Sequence, residues 1–186
     1  MNDDVTLISN LICRAFDEAH RLGDKKNNAQ RSAFWIECLA KAFRTIEWEE
    51  DIAVFSKDYY GNRVEFGMNE MLYDVTVAEI KTIKSARSKE IKVISNVKWL
   101  IESEFQKSNS RAITVDFSKL VIGRAENKLL IISEGMLIPN WIESAIPEII
   151  KSDNCNFYLA IIPHPKDWHL SDLPMPSIRQ LKCADR

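Results

Sequence analysis

The chain of 186 residues is 46% hydrophobic and 28% charged, proportions that suit one folded domain with a sizeable core and exclude the low-hydrophobicity signature of disorder. Its formal net charge of -2 excludes a global electrostatic footprint of nucleic-acid binding, so any such role must rest on where the charges sit. No apolar run is long enough to cross a bilayer, and acidic residues stand where a secretory leader would be basic, which predicts a reducing, cytoplasmic setting.

In chain order, Asp3 or Asp4 caps a helix running to about residue 22, with Leu7, Ile8, Leu11, Ile12, Ala15, Phe16 and Ala19 at helical spacing and Gly23 at its end. A second helix over about 29–46 places Ala33, Ile36, Leu39, Ala40 and Phe43 on one stripe, with Glu37 beside it. Cys13 and Cys38 fall within these helical patterns. With Cys155 and Cys183 they lack the paired spacing of a zinc site and read as core thiols.

Extended segments follow at 52–56, 64–66 and 71–80, with Tyr59-Tyr60-Gly61-Asn62 as the turn between the first two, which suggests an antiparallel meander. In the third segment Tyr73, Val75 and Val77 share one face, while Asp74, Thr76 and Ala78 share the other. Small neighbours leave space above the acid. A basic stretch then carries Lys81, Lys84, Arg87, Lys89, Lys92 and Lys98 against Glu90 alone, a local excess of five positive charges. Such a run is either a solvated face or a phosphate-binding segment.

The next strand, over 93–105, turns Val97, Trp99, Ile101 and Phe105 one way and Lys98, Leu100, Glu102 and Glu104 the other. Two residues apart on a strand lie about 6.5 Å apart at the backbone, close enough to share a metal site. A helix over about 114–125 and an apolar strand over 128–133 complete a strand-helix-strand unit, which implies a parallel crossover. A helix from Pro139, bent near Pro147, a buried strand over 157–162 and an irregular Pro-rich tail over 163–176 close the chain. His20, His164 and His169 are dispersed, and there is no Gly-rich phosphate loop. These elements describe an α/β fold, a mixed central sheet flanked by helices, as a single domain over 1–186.

A helix, a meander bearing Asp, a strand bearing Glu-x-Glu, a helix and a parallel strand together resemble the PD-(D/E)XK restriction-endonuclease-like superfamily. The likeness covers about 29–133, with an N-terminal helix before it and an α/β extension after it. Tyr73-Asp74 stands where the family has Pro-Asp, and Glu102-Ser103-Glu104 where it has (Asp/Glu)-x-Lys, with Glu104 replacing the motif lysine. The run Glu102-Ser103-Glu104-Phe105 followed by Asp116-Phe117-Ser118-Lys119-Leu120 is also similar to a bacterial group with a Glu-Ser-Glu-aromatic strand and a following Asp-Phe-x-Lys-Leu helix.

The resemblance implies a nuclease that uses Mg2+ or Mn2+, with Asp74, Glu102 and the Ser103 carbonyl as ligands. Magnesium prefers a few carboxylates with retained waters and phosphate oxygens, and such an ion polarises phosphate and activates water. Glu104 then serves a second metal or accepts the proton of the attacking water. Lys119 restores from the helix the charge that the strand lacks, and Glu37 matches the acid often carried by the first helix. Lys81, Lys84, Arg87 and Lys89, in the connection between the two site-bearing strands, are expected to contact phosphate near the mouth of the site. DNA is expected ahead of RNA, with restriction or phage defence as the setting and a homodimer left open. Two alternatives stand beside this: a catalytically inactive nuclease-fold interaction or regulatory protein, and a nucleic-acid-binding module. Without the resemblance, Asp74 caps a turn or pairs with a cation and the two glutamates form a half-exposed edge. Lys119 then snorkels, Glu37 is a plain helix acid, and Asp116 caps or begins its helix.

Overall fold

The computed structural model describes residues 3–23, 26–106, 110–135 and 155–181. Helix α1 (Asp3–Gly23) buries Ile8, Leu11, Ile12, Ala15, Phe16 and Ala19 of the stripe its spacing predicts, while Leu7 at its margin stays exposed. Helix α2 (Asn28–Arg44) starts from a reciprocal cap: the Gln30 N–H donates to Asn27 Oδ1 at 3.0 Å, and the Asn27 N–H donates to Gln30 Oε1 at 3.1 Å. Both helices lie on the same face of the sheet.

The remaining elements are β1 (Ile52–Ser56), α3 (Tyr60–Phe66), β2 (Val75–Lys84), β3 (Glu90–Glu104), α4 (Ser110–Ile122), β4 (Asn127–Ser133), β5 (Asn156–Ile162) and β6 (Ser177–Leu181). The six strands form one mixed sheet in sequential order. Strands β1, β2 and β3 are antiparallel, β3, β4 and β5 are parallel, and β6 returns antiparallel to β5. This is the expected α/β architecture of a mixed sheet flanked by helices. The parallel pairing of β3 with β4 across α4 is the crossover the sequence implies.

Alternation along the strands gives two main core clusters, beside a smaller third of Ala53, Phe55, Ala78 and Ile80 against Phe66 of α3. Val75, Val77, Trp99, Ile101, Leu129, Ile131, Tyr158 and Ala160 meet α1 and α2, while Leu100, Leu130, Ile132, Phe157 and Leu159 meet Ile113, Phe117 and Leu120 of α4. Lys128 is fully buried on the α4 side, where its Nζ lies 3.5 Å from the Val121 carbonyl near the helix C-terminus, an end that favours cations. The tail expected to be irregular is partly built. A 3-10 turn, Pro165–Asp167, seats Trp168 with ring centroids 5.7 Å from Phe16 and 6.4 Å from Trp35, and β6 follows. Buried Arg31 holds that turn through Pro165 O at 2.9 Å and reaches Gly23 O at 3.0 Å.

Three expectations are corrected. Residues 64–66 belong to α3, not to a strand, and the supposed turn at 59–62 supplies its N-cap, Tyr59, and its first three residues. Three residues are too few to separate the two periods; tertiary contacts decide, because Asn62 and Phe66, four apart, both turn inward. Asn62 Nδ2 donates to Val54 O at 2.8 Å, covering the edge of β1, and Phe66 packs 5.2 Å from Phe55, while Val64 is 74% exposed. Second, the strand expected at 71–80 begins at Val75 and runs on to Lys84, so Tyr73 leaves the face of Val75 and Val77 and packs on the α4 side. Third, Cys13 and Cys155 are only half-buried, although Cys38 is a core thiol whose pKa burial pushes up to about 12. The expected helix from Pro139 and Cys183 lie outside the described residues. Among the described residues no helix is long and apolar enough to cross a membrane.

Gly123, just past α4, is the point where the helix end approaches β3. A Cβ there would run into the Tyr73 hydroxyl and Leu100 Cδ1. Gly123→Ala is therefore expected to cost about 1–3 kcal/mol, the scale of overpacking, read as a lower urea midpoint; an unchanged midpoint would show that the contact relaxes freely.

Candidate functional site

The site forms where one strand stops before its neighbour. Pairing of β2 with β3 ends at Val75 opposite Ile101, whereas β3 continues to Glu104 with β4 on its other side. The edge of β3 beyond Ile101 thus lacks a strand, and Asp74, the residue before β2, fills the place: its Oδ2 accepts the Ser103 N–H at 2.9 Å. The N–H and C=O of one strand residue point to the same edge, so the Ser103 carbonyl faces the Asp74 side. Ser103 Oγ, on the opposite face, accepts from Trp35 Nε1 at 3.2 Å and is fixed against α2.

Strand alternation sends Glu102 toward α4, where it is only 1% exposed. Phe117 and Leu120 dock α4 on the sheet, leaving Asp116 and Lys119, three apart, on the flank above Glu102. Lys119 Nζ lies 3.0 Å from Glu102 Oε1 and 2.8 Å from Asp116 Oδ1. Tyr73 donates its hydroxyl to Lys119 O at 3.0 Å, tying the turn before β2 to the same helix.

Three carboxylates, Asp74, Glu102 and Asp116, thus share one ammonium in a poorly solvated place. Burial first, then the charge of Asp74, pushes the Glu102 carboxyl up to about 8 despite the hydrogen bond from Lys119. Burial also pushes Asp74 up to about 6; the Ser103 N–H opposes this, and Asp116 and Glu104 add to it. Burial acts to lower the Lys119 pKa, but its bonds to Asp116 and Glu102 outweigh that and raise it. The Tyr73 phenol is raised by burial and by the charge of Glu102. The cluster is short of positive charge near neutral pH.

Glu104 is half-buried within electrostatic reach of Asp74, with Oε1 accepting the Gln106 N–H at 2.6 Å. Glu37 lies apart from Glu102 and Lys119. Its Oε1 accepts the Asp58 N–H and its Oε2 the Ser56 hydroxyl, each at 3.1 Å, with Arg44 at 3.8 Å. It shares with Asp74, Lys57, Asp58 and Glu70 the lining of a cavity of about 240 Å³, so it approaches from the side without joining the ion-pair cluster.

Among the described residues no three or more His, Cys, Asp and Glu side chains are grouped to hold a metal. Two carboxylates with a main-chain carbonyl are a smaller set, but one of hard oxygen donors, and magnesium commonly binds through one or two carboxylates while keeping its waters. The charge deficit at Asp74 and Glu102 fits a divalent cation on the same ground.

The expected position of the basic residues near the mouth of the site is corrected. The link between β2 and β3 is a tight hairpin: the Ser85 N–H donates to Lys89 O at 2.8 Å, the Ser88 N–H donates to Ser85 O at 2.9 Å, and Ser88 takes φ 56°. An antiparallel connection lies at the far end of its strands, so at about 3.3 Å per residue from Val75 to Lys84 the tip is roughly 30 Å from the acids. Lys98, midway, is held by Glu50 at 2.8 Å and Glu126 at 3.3 Å.

Asp116 and Tyr73 were not expected as parts of the cluster: Asp116, expected to cap or begin a helix from about 114, lies in the middle of α4, which starts at Ser110. The signal for Asp116 was its place three residues before Lys119 on a helix; nothing local marked Tyr73. No family model matches the chain, and no curated protein or solved structure matches it.

The pH dependence of stability follows from the two raised carboxyls. They keep protons in the folded chain that the unfolded chain releases near the ordinary carboxyl pKa of about 4. Their contribution is full below that pH and is lost as pH rises through about 6 for Asp74 and about 8 for Glu102. Without added metal, the melting temperature should fall between pH 5 and 8.5, and Glu102→Gln should remove most of that slope. Identical slopes for both proteins would contradict the burial of this carboxyl.

Proposed function

We propose that the chain has a restriction-endonuclease-like core and acts as a magnesium-dependent nuclease, hydrolysing phosphodiester bonds of DNA. The observation that carries the reading is the burial of Glu102 between Asp74 and Lys119 at the C-terminal end of β3. Further support comes from the chain order of α2, the β1-β2-β3 meander, α4 and parallel β4, the order that the resemblance implies.

Asp74, Glu102 and the Ser103 carbonyl would hold the ion, with manganese as a substitute. The chemistry it supplies when bound is polarisation of the phosphate and activation of water. The chain's own groups do the rest. Asp74 is oriented by the Ser103 N–H, and Glu102 by Lys119. Water attacks phosphorus as the bond to the leaving oxygen breaks; Glu104 takes the water proton on the carboxylate oxygen that Gln106 does not hold, and the leaving oxygen takes a proton from solvent water to depart as an alcohol. Lys119, whose ammonium sits at the rim of the cluster, opposes the negative charge that builds on the phosphate during the step. Asp116 holds that ammonium from its second side and acts as a positioning residue. Glu37 lines the side cavity.

A second reading is a nuclease-fold regulatory or binding protein without cleavage. The bond of Lys119 to Glu102 favours it, because that pair is partly compensated without any metal. The readings separate on purified protein. The nuclease reading expects cleavage of plasmid DNA only with Mg2+ or Mn2+, abolished by Glu102→Gln with the fold retained by circular dichroism. Cleavage unchanged by that substitution would remove Glu102 from the site. Full metal affinity without any cleavage would favour the second reading.

Lys119→Met keeps the apolar stem and removes the charge. It is expected to cut cleavage about 100-fold or more, the scale of a preorganised electrostatic group, while leaving DNA affinity nearly intact. If Lys119→Met cleaves like the parent and Glu104→Gln is inactive, the lysine's role belongs to Glu104.

A further inference from the structure

Beyond Ile80 the β2-β3 pair leaves the sheet. The last β2 residue paired with β1 is Glu79, opposite Ile52, and β4 first pairs with β3 at Trp99. From Lys81 to Val93 the two strands pair only with each other, as a ribbon. Cross-strand Ile83 and Ile91, 48% and 44% exposed, stiffen it, and the 85–89 turn closes it.

Its charge contrasts with that of the body. Residues 81–92 hold five cations and Glu90, a net +4, so the other 174 residues carry -6. Lys81 lies 3.3 Å from Glu79, and Lys92 pairs with Glu65 of α3. Among the described residues Lys84, Arg87 and Lys89, around the tip, form no ion pair. A cationic projection on an acidic body concentrates attraction for a polyanion at one place. A two-stranded ribbon also has the width that the major groove of duplex DNA admits.

We infer that the β2-β3 ribbon is a DNA-binding arm in which Lys84, Arg87 and Lys89 hold the phosphates of a duplex about 30 Å from the acidic cluster. The clamp does not need the cluster; its consequence for cleavage rests on the nuclease reading. At 3.4 Å per base pair the separation corresponds to about nine base pairs. A duplex held by the arm must be at least about ten base pairs long to reach Asp74 and Glu102 as well.

Fluorescence anisotropy with a labelled 20-base-pair duplex, read across salt concentrations without divalent metal, tests the arm. The parent should bind with a steep salt dependence. Replacing Lys84, Arg87 and Lys89 by Gln should weaken binding and reduce the slope of log K against log salt by about 0.9 per lost contact, or roughly 2.7 for three. Equal affinity and slope for the triple variant and the parent would overturn the arm, as would tighter binding of a single strand of the same length. With magnesium added, the parent should cut the 20-base-pair duplex and spare one of six base pairs. Arm-dependent binding with no cleavage of either would leave the arm standing and remove the nuclease reading.

Discussion

A carboxylate buried to 1% exposure, with a second carboxylate beside it and one lysine to answer both, is the constraint on which the site depends. Burying an ion costs several kcal/mol unless partners compensate, and here compensation is partial. Lys119 is shared with Asp116, and Asp74 has the Ser103 N–H as its hydrogen-bond donor, with the more distant charge of Lys119, to favour its charged form. The remaining imbalance appears as raised carboxyl pKa values. A set of groups that favours proton uptake near neutrality also favours a cation in the proton's place, since both neutralise the same charges.

The fold creates this imbalance by where it ends its strands. Had β2 begun two residues earlier, main-chain pairing would satisfy Ser103 and Asp74 would be one more strand residue. Because it begins at Val75, a side chain supplies the missing acceptor. Trp35 fixes Ser103 from the α2 face, and Tyr73 ties the opposite side to α4. Two helices on opposite faces of the sheet thus brace a short stretch of exposed strand edge. The acidic cluster sits at the C-terminal end of β3, beside the parallel strand β4, where α/β sheets commonly place ligands.

The sequence made β3 legible because its period-two pattern is strong. The opposed faces of Trp99 and Ile101 against Leu100 and Glu102 are as alternation requires, and the turn of Lys119 toward Glu102 follows from α4 packing directly over that strand; Val97, expected on the face of Trp99, is instead turned to the Leu100 side by the register shift that sets it opposite Ala78. Alternation says nothing of where pairing starts, so the change from irregular backbone to strand at Val75 was hidden, and Tyr73 with it. Nor does it mark which end of a strand a connection occupies. The basic segment lies between Asp74 and Glu102 in sequence, yet a hairpin carries it the full length of two strands away. Residues 64–66 escaped for another reason: three residues do not resolve a period, and the contacts that decide, Asn62 with Val54 and Phe66 with Phe55, lie across the fold.

The central claim is that Asp74 and Glu102 together hold a divalent cation. Manganese titrated into protein carrying carbon-13 in its Asp and Glu carboxyl groups tests it at the atoms concerned, because a paramagnetic ion broadens the resonances nearest to it. The account predicts that Asp74 and Glu102 broaden first and together, with Glu104 and Asp116 following and Glu65 and Glu90 at the far end unaffected, and that magnesium in excess restores them. Broadening that begins elsewhere, or leaves Glu102 sharp while other carboxyls disappear, would contradict it.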